Sequence, residues 1–173
     1  MQGDPSELDL EDALARGTQI HKLLEHLPMV PSEKRLDLGL RLIQSDDQAL
    51  VQEIISLIEK PELAWLWASD ALTEVDITAN LAGIGRIHGS IDLLIITDQK
   101  ITAIDYKSNK LVPNTPAQTP LGLQRQLAAY HQALRAIYPD HVIEAAILWT
   151  HTGSLMLLPD DLLHDALIGL ATP

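Results

Sequence analysis

The sequence predicts an α/β fold, with one mixed central sheet flanked by helices and an N-terminal helical segment. Three observations support this prediction. Apolar residues recur at helical spacing through the first 68 residues. From Leu72 onward they alternate with a period of two, as in strands. After Lys107 a helical pattern stands between strand-like runs, which is the order of a sheet with helices packed on it.

The N-terminal part is expected to be helical. We expect residues 1–12 to be a disordered tail and residues 13–173 to form one domain, helical over 13–68 and a sheet-and-helix core over 70–173. Pro28 and Pro61 end helices, because the residue before a proline disfavours the helical region. Asp46 or Asp47 can cap a helix start. The predicted helices are about Leu10 to Leu27, Ser32 to Gln44 and Ala49 to Glu59, with a short turn over Glu62 to Trp67.

The core is expected to contain five strands and two helices. Gly83 and Gly85 mark a turn, and the three prolines between Val112 and Pro120 are expected to exclude regular structure, which predicts a surface loop there. The predicted strands are Leu72 to Ala79, Arg86 to Thr97, Ile101 to Lys107, Val142 to Trp149 and Ser154 to Leu158, and the predicted helices are Leu121 to Ile137 and Asp160 to Leu170.

One hairpin brings two carboxylates together. A two-residue turn at Asp98-Gln99 places residues whose numbers sum to 197 opposite each other, so Asp92 is expected to face Asp105. Directly opposed like charges are destabilising, and a divalent cation held between them would offset that cost. Lys107 lies on the same strand face as Asp105 because side chains alternate with period two. These residues favour metal-assisted hydrolysis of a phosphate ester.

Other readings stay open from the residues alone. Lys107 could simply neutralise Asp105 in a salt bridge, and a carboxylate pair could also serve a glycosidase, although the nearby lysine and the scarce aromatics count against that. Glu74 could be a surface charge on an edge strand. His21, as a lone histidine on an apolar helix face, is more often a packed side chain than a ligand.

The helix after the proline-rich loop carries a further candidate pair. Gln126 and Tyr130 are four residues apart and share one helix face, from which they could contact a phosphate or a metal-associated water. An ordinary amphipathic helix is slightly favoured on spacing alone. In that reading Gln124, Arg125 and His131 extend the polar side, and the apolar stripe is Leu123, Leu127, Leu134 and Ile137.

Composition restricts the class of protein. The absence of cysteine excludes disulfides, thiolate zinc sites and cysteine-ligated iron–sulfur clusters. No apolar stretch reaches the ~18 residues of a membrane helix, and the polar N-terminus does not resemble a secretory signal, so we expect a cytoplasmic protein without membrane contact. The net charge is −12, yet residues 86–135 hold six basic and three acidic residues, leaving +3 there and −15 elsewhere. A solvated acidic surface with no partner remains an alternative.

An ordered set of motifs is more specific than its members. The motifs are Gly17-Thr18-Gln19-Ile20-His21-Lys22-Leu23-Leu24-Glu25, Glu74-Val75, Gly89-Ser90-Ile91-Asp92, Asp105-Tyr106-Lys107-Ser108 and Gln126-Leu127-Ala128-Ala129-Tyr130. Over about residues 14–160 the chain resembles the RecB-type branch of the PD-(D/E)XK nucleases, and within it the C-terminal nuclease domain of AddA-type helicase–nucleases.

The resemblance implies a restriction-endonuclease-like core and Mg²⁺-dependent DNA cleavage, with Mn²⁺ as a possible substitute. It implies His21, Asp92, Asp105 and the backbone carbonyl of Tyr106 as metal ligands. Lys107 would be the catalytic lysine. Gln126 with Tyr130 would support the site, and Glu74 would be a carboxylate outside the direct ligands.

The resemblance also implies partners. They would be DNA, with single-stranded ends preferred, a helicase motor and an AddB-like subunit acting in recombinational double-strand break repair. The chain has no GxxxxGK[ST] phosphate loop, so we expect either an excised domain or a stand-alone relative. It cannot carry the cysteine-bound iron–sulfur cluster of some relatives. The alternative is a catalytically inactive nuclease-fold module that docks DNA or a partner.

Overall fold

A computed structural model of the chain describes residues 7–68 and 70–171. The chain divides into two compact units, residues 1–69 and 70–173. Residues 1–6 of the predicted disordered tail lie outside the described residues, whereas residues 7–12 already belong to the first helix.

The first unit is helical. Its elements are α1 (Glu7–His26), α2 (Ser32–Ile43), α3 (Gln48–Ile58) and a 3-10 helix (Pro61–Trp67). Asp47 caps α3 because its side chain accepts a hydrogen bond of 3.0 Å from the backbone N–H of Leu50. Arg16 of α1 forms an ion pair of 2.6 Å with Glu53 of α3. The three helices pack on one another, as the apolar spacing of their sequences predicts.

The second unit is built on a five-stranded mixed sheet. Its strands are β1 (Leu72–Leu81), β2 (Gly85–Ile96), β3 (Lys100–Lys107), β4 (Val142–Trp149) and β5 (Ser154–Leu158), and their order in the sheet is the same as in the sequence. All neighbouring strands are antiparallel except β3 and β4, which are parallel. A parallel pair needs a long crossover connection, and the segment between β3 and β4 supplies it.

Two helices complete the second unit, α4 (Leu121–Ile137) in the crossover and α5 (Asp160–Ala171) after β5. Helix α4 packs on β4, β1 and β3, and α5 packs on α4. The core contains no phenylalanine, and small residues such as Ala128 and Ala133 bring α4 close to the sheet. The predicted α/β fold class is therefore confirmed, as a mixed sheet with packed helices consistent with a restriction-endonuclease-like fold.

Three details of the prediction are wrong. The proline-rich loop contains a 3-10 turn at Pro116–Gln118, because the Thr115 and Gln118 side chains cap it reciprocally. Gln124 and His131 are buried rather than part of a solvated face, because the carbonyls of Thr119 and Ile143 satisfy them. Ile137, expected in the apolar stripe, is half exposed at the last turn of α4.

Among the described residues, no helix combines the length and the apolar character needed to cross a bilayer.

Candidate active site

The β2–β3 hairpin has the predicted register. Leu93 pairs with Ile104 and Ile96 with Ile101, which are pairs that sum to 197. The turn is closed by a hydrogen bond of 2.8 Å from the Thr97 N–H to the Lys100 carbonyl. The paired residues end at Leu93 and Ile104, one step short of the predicted pair of Asp92 with Asp105.

Asp92 occupies the place where that ladder stops. Its Oδ2 accepts a hydrogen bond of 2.6 Å from the backbone N–H of Tyr106, and the side chain is buried. Ile91 and Leu94 both contribute to the core cluster although they are three residues apart, so the two-residue alternation of β2 is broken at Asp92. A side chain therefore replaces a backbone group in the ladder, and this hydrogen bond fixes the position of the Asp92 carboxylate.

Glu74 lies across from this irregularity on β1. Thr73 pairs with Leu93 and Val75 with Ile91, so the interrupted position between them sets Glu74 opposite Asp92. Glu74 has a φ of 49°, a left-handed conformation that is uncommon outside glycine. A carboxylate oxygen of Glu74 lies within 4.8 Å of one of Asp92. The strained backbone thus brings two carboxylates close together at the sheet surface.

Asp105 and Lys107 form the second part of the site. Lys107 Nζ lies 2.6 Å from Asp105 Oδ2, as expected for residues two apart on one strand face. Asp105 is buried, whereas Lys107 keeps about a third of its side chain exposed. An ammonium that is both tied to the carboxylate and open to solvent can reach a bound anion.

Lys107 is also held through its backbone. Its carbonyl accepts hydrogen bonds from the N–H of Thr150, at 2.9 Å, and from the Thr150 hydroxyl, at 3.3 Å. Thr150 directly follows β4, whose Trp149 pairs with Lys107. The contact of Thr150 with Lys107 could not be predicted from the spacing of the motif, because it depends on the parallel pairing of β3 with β4.

The electrostatics of this corner are negative. Burial, and next the charges of Asp92 and Glu74, raise the pKa of the Tyr106 phenol above its usual 10.0. Successive side chains of a strand point to opposite faces, so the phenol lies on the other face of β3 from Asp105 and Lys107, and the charges that act on it are those of Asp92 and Glu74. A negative potential formed by oxygen donors is the environment that a hard divalent cation requires.

Gln126 and Tyr130 lie above β2 on α4. Gln126 Nε2 donates a hydrogen bond of 3.2 Å to the Tyr130 hydroxyl. Tyr130 is buried against Gly89, where a Cβ atom would overlap the hydroxyl and lie 2.7 Å from Cε1. The absence of a side chain at Gly89 therefore lets Tyr130 pack directly on the backbone of β2, at a position three residues before Asp92 in the sequence. The role of Gly89 was not predicted from the sequence, because it depends on this contact with α4.

A comparison with models of protein families identifies one match over residues 3–154, to the PD-(D/E)XK nuclease superfamily. The chain belongs to this superfamily. No match was found among curated protein sequences. A solved structure titled "Crystal structure of SSO0001" is 16% identical and covers 99% of this chain and 89% of its own, with a TM-score of 0.36.

The letters of the superfamily's name correspond to residues of the described site. Asp105-Tyr106-Lys107 reads as D-X-K, and Asp92 is an earlier aspartate that follows Ile91 rather than a proline. In the PD-(D/E)XK nuclease superfamily these letters denote acidic residues and a lysine. In this chain Asp92 accepts a hydrogen bond from the Tyr106 N–H, and Asp105 forms an ion pair with Lys107.

One predicted metal ligand belongs to the first unit. His21 is on α1 in the first unit and is partly buried. Arg86 and Lys110 are exposed. Arg125 is instead directed toward α5, where its guanidinium donates to the Gly169 carbonyl at 3.5 Å.

Proposed function

We propose that this chain is a Mg²⁺-dependent deoxyribonuclease that hydrolyses DNA phosphodiester bonds, with Mn²⁺ as a substitute. One observation carries the proposal: the buried Asp105 and the solvent-accessible Lys107 form an ion pair next to Asp92, in a chain of the PD-(D/E)XK nuclease superfamily. Superfamily membership supports a nuclease, and the oxygen-rich site supports the choice of metal.

The residues fit a hard divalent cation. Oxygen atoms of Glu74 and Asp92 lie within 4.8 Å of each other, and a cation bound at Asp92 would reduce the repulsion between the two carboxylates. Asp92, Asp105 and the Tyr106 carbonyl are the proposed ligands of the second unit, and His21 is the proposed ligand from the first. Glu74 would act outside these ligands. A divalent ion, when bound, supplies Lewis acidity toward the phosphate and lowers the pKa of a water.

The chain's own groups perform the other parts of the reaction. The Tyr106 N–H holds Asp92 in one orientation, so that carboxylate needs no reorganisation during the reaction. Lys107, anchored by Asp105 and by Thr150, donates N–H groups to the attacking water or to the phosphate oxygens, where negative charge develops. Gln126 and Tyr130 keep the Gly89 region of β2 in place.

The cellular context belongs to the same proposal. Similarity of motifs to the RecB-like branch supports a role like that of the AddA nuclease domain. In that role a helicase motor and an AddB-like subunit would deliver single-stranded DNA ends in the cytoplasm during recombinational double-strand break repair. Phosphate contacts from Arg86 and Lys110 would position DNA without reading its sequence, so we propose low sequence specificity.

Digestion of end-labelled single- and double-stranded DNA tests the activity. We expect cleavage with Mg²⁺, none with excess EDTA, and at least about a 100-fold slower rate for Asp105→Ala, because metal assistance contributes several kcal/mol and each ~1.4 kcal/mol is a factor of ten. Asp98→Ala is the matched control, since it removes an exposed carboxylate at the tip of the same hairpin.

Two results would contradict the proposal. Cleavage by Asp105→Ala at the rate of Asp98→Ala would remove Asp105 from the chemistry. No cleavage by the unaltered chain, together with no heat of Mg²⁺ or Mn²⁺ binding in calorimetry, would instead indicate an inactive module that docks DNA or a partner.

A further inference from the structure

The second unit has a pocket beside Lys107 to which the proposed reaction gives no role. Its volume is about 280 Å³, and it lies between the loop after β3 and the end of β4. Apolar side chains form most of its wall, and two amides stand at its edge. The lining residues are Leu111, Val112, Pro113, Pro120 and Trp149, with Asn109 and Gln118 as the amides.

The pocket adjoins the candidate active site. Trp149 pairs with Lys107 in the parallel β3–β4 ladder, so the two side chains are neighbours on the same face of the sheet. Asn109 follows Lys107 by only two residues. A nucleotide whose phosphate is held at Lys107 would therefore have its base within reach of this wall.

The wall is ordered by its own hydrogen bonds. Gln118 Oε1 accepts from the N–H groups of Asn114, at 3.1 Å, and Thr115, at 3.2 Å. Gln124 Nε2 donates a hydrogen bond of 2.6 Å to the carbonyl of Thr119, and both residues are buried. These bonds shape the loop before any ligand arrives, and a preformed site loses less entropy on binding.

The charge around the pocket suits a polyanion. No Asp or Glu occurs between Tyr106 and Pro139, although the whole chain has a net charge of −12. Lys107 and the exposed Lys110 lie in the same segment. The phosphates on either side of a bound nucleotide would meet cations here, while the acidic remainder of the chain repels DNA.

The lining matches a nucleobase rather than a sugar or a peptide. A base has flat faces that pack on apolar groups and polar edges that pair with amides, as Asn and Gln do with adenine. Leu111 has 87% of its surface exposed, so its side chain is accessible to a base. Within residues 7–68 and 70–171, the buried indole N–H of Trp149 has no hydrogen-bond acceptor, and base edges carry acceptors.

We propose that this pocket holds the unstacked base of the nucleotide next to the scissile phosphate. The inference rests on the proposed nuclease function and identifies a base of the DNA substrate as the group that this pocket binds. Because binding in the pocket needs an unstacked base, the proposal predicts a preference for single strands over duplex, in which stacking keeps bases out of such pockets.

Photo-crosslinking tests the position of the base. The full chain is mixed with single-stranded DNA containing one 4-thiothymidine, in EDTA so that the DNA stays intact, and the adducts are mapped by mass spectrometry. We expect adducts within residues 109–113 for one position of the modified base. Adducts found only elsewhere in the chain would overturn the proposal.

An abasic scan gives a second, independent measurement. In EDTA, removal of one base should raise the Kd about five- to tenfold at a single position of the strand, in line with the contribution of one stacked base. The combined Asn109→Ala and Leu111→Ala variant should lose this position dependence. Asn114→Ala, in the same loop but outside the pocket wall, should keep it.

The outcomes separate this proposal from the nuclease proposal. Equal Kd values at all positions, or equal behaviour of the combined variant and Asn114→Ala, would overturn the base pocket even if the chain cleaves DNA. Position-dependent binding by a chain that never cleaves would support the pocket and contradict the nuclease.

Discussion

Asp92 makes a hydrogen bond that a backbone carbonyl would make in a regular strand. Its Oδ2 satisfies the buried N–H of Tyr106, so the residue combines a structural and a chemical role. The letters of the motif predicted Asp92 as a candidate for chemistry. They could not predict its bond to Tyr106, because that bond exists only where the β2–β3 ladder is interrupted.

Two substitutions at Asp92 separate these roles. Asp92→Asn keeps an oxygen that accepts from the Tyr106 N–H, so we expect the free energy of unfolding to stay within about 1 kcal/mol while Mg²⁺ binding is lost. Asp92→Ala leaves that N–H without its acceptor and should cost about 1–3 kcal/mol more. Urea unfolding and calorimetric Mg²⁺ titration measure the two effects. Equal unfolding free energies for both variants would show that the bond contributes nothing.

Gly89 provides a second prediction about a single residue. In Gly89→Ala the new methyl would overlap Tyr130, and we expect a loss of about 1–3 kcal/mol in the free energy of unfolding together with slower DNA cleavage. Gly122→Ala is the control, because no atom lies within 4 Å of its added Cβ. Because residue 122 lies in helix α4, we expect Gly122→Ala to raise the free energy of unfolding by up to about 1 kcal/mol. A Gly89→Ala protein as stable as Gly122→Ala would contradict the packing described here.

The element boundaries of the second unit followed closely from the sequence. Helix α4 and strands β4 and β5 have the predicted limits, because each is flanked by prolines, glycines or polar turns. The polar and apolar pattern of α4 gave a wrong prediction where a polar side chain forms its hydrogen bond with a group outside the helix. Gln124 and His131 looked like surface residues, yet carbonyls from the preceding loop and from β4 accept their hydrogen bonds.

His131 makes the packing of α4 on β4 sensitive to pH. Its Nε2 lies 3.2 Å from the Ile143 carbonyl and 3.4 Å from Asp160 Oδ1, so this nitrogen carries the proton. Burial lowers the pKa of His131 below its usual 6.5, against the opposing effect of Asp160. The neutral ring therefore stabilises the fold above pH 6.5, and this contribution is lost as the pH falls through the lowered native pKa.

We expect the free energy of unfolding of the unaltered chain to fall more between pH 7.5 and pH 5 than that of His131→Gln. Denaturant unfolding at several pH values measures this difference. His164→Gln is the matched control, because it removes an exposed histidine of α5. Parallel pH profiles for the unaltered chain and His131→Gln would rule out His131 as the origin of the pH dependence.

At the scale of the whole molecule, the net charge of −12 and the carboxylate site predict that the stability of the chain depends on cations. We expect Mg²⁺ to raise the melting temperature beyond the effect of NaCl at matched ionic strength. A ligand at 100 times its Kd stabilises by about 2.7 kcal/mol. Scanning calorimetry of the unaltered chain, Asp105→Ala and Asp98→Ala measures the change in melting temperature with Mg²⁺. Added EDTA should reverse this change.

Only the Asp105→Ala protein should lack the specific increase. An equal increase with NaCl, or an equal one in Asp105→Ala, would show that Mg²⁺ merely screens the acidic surface.

The sequence predicted the α/β class and the β2–β3 hairpin, because these depend on local patterns. The parallel pairing of β3 with β4 did not follow, since the two strands are joined by a crossover of more than thirty residues.

That parallel pairing has a consequence for the order in which the protein is made. The carboxylates of β2 and β3 leave the ribosome before the partner strand of β3 and the threonine that anchors the Lys107 carbonyl, which follow only after α4. A nascent chain that stops before Val142 therefore carries the acidic residues without a fixed lysine. Nucleolytic competence would be acquired late in translation, when nearly the whole second unit has been synthesised.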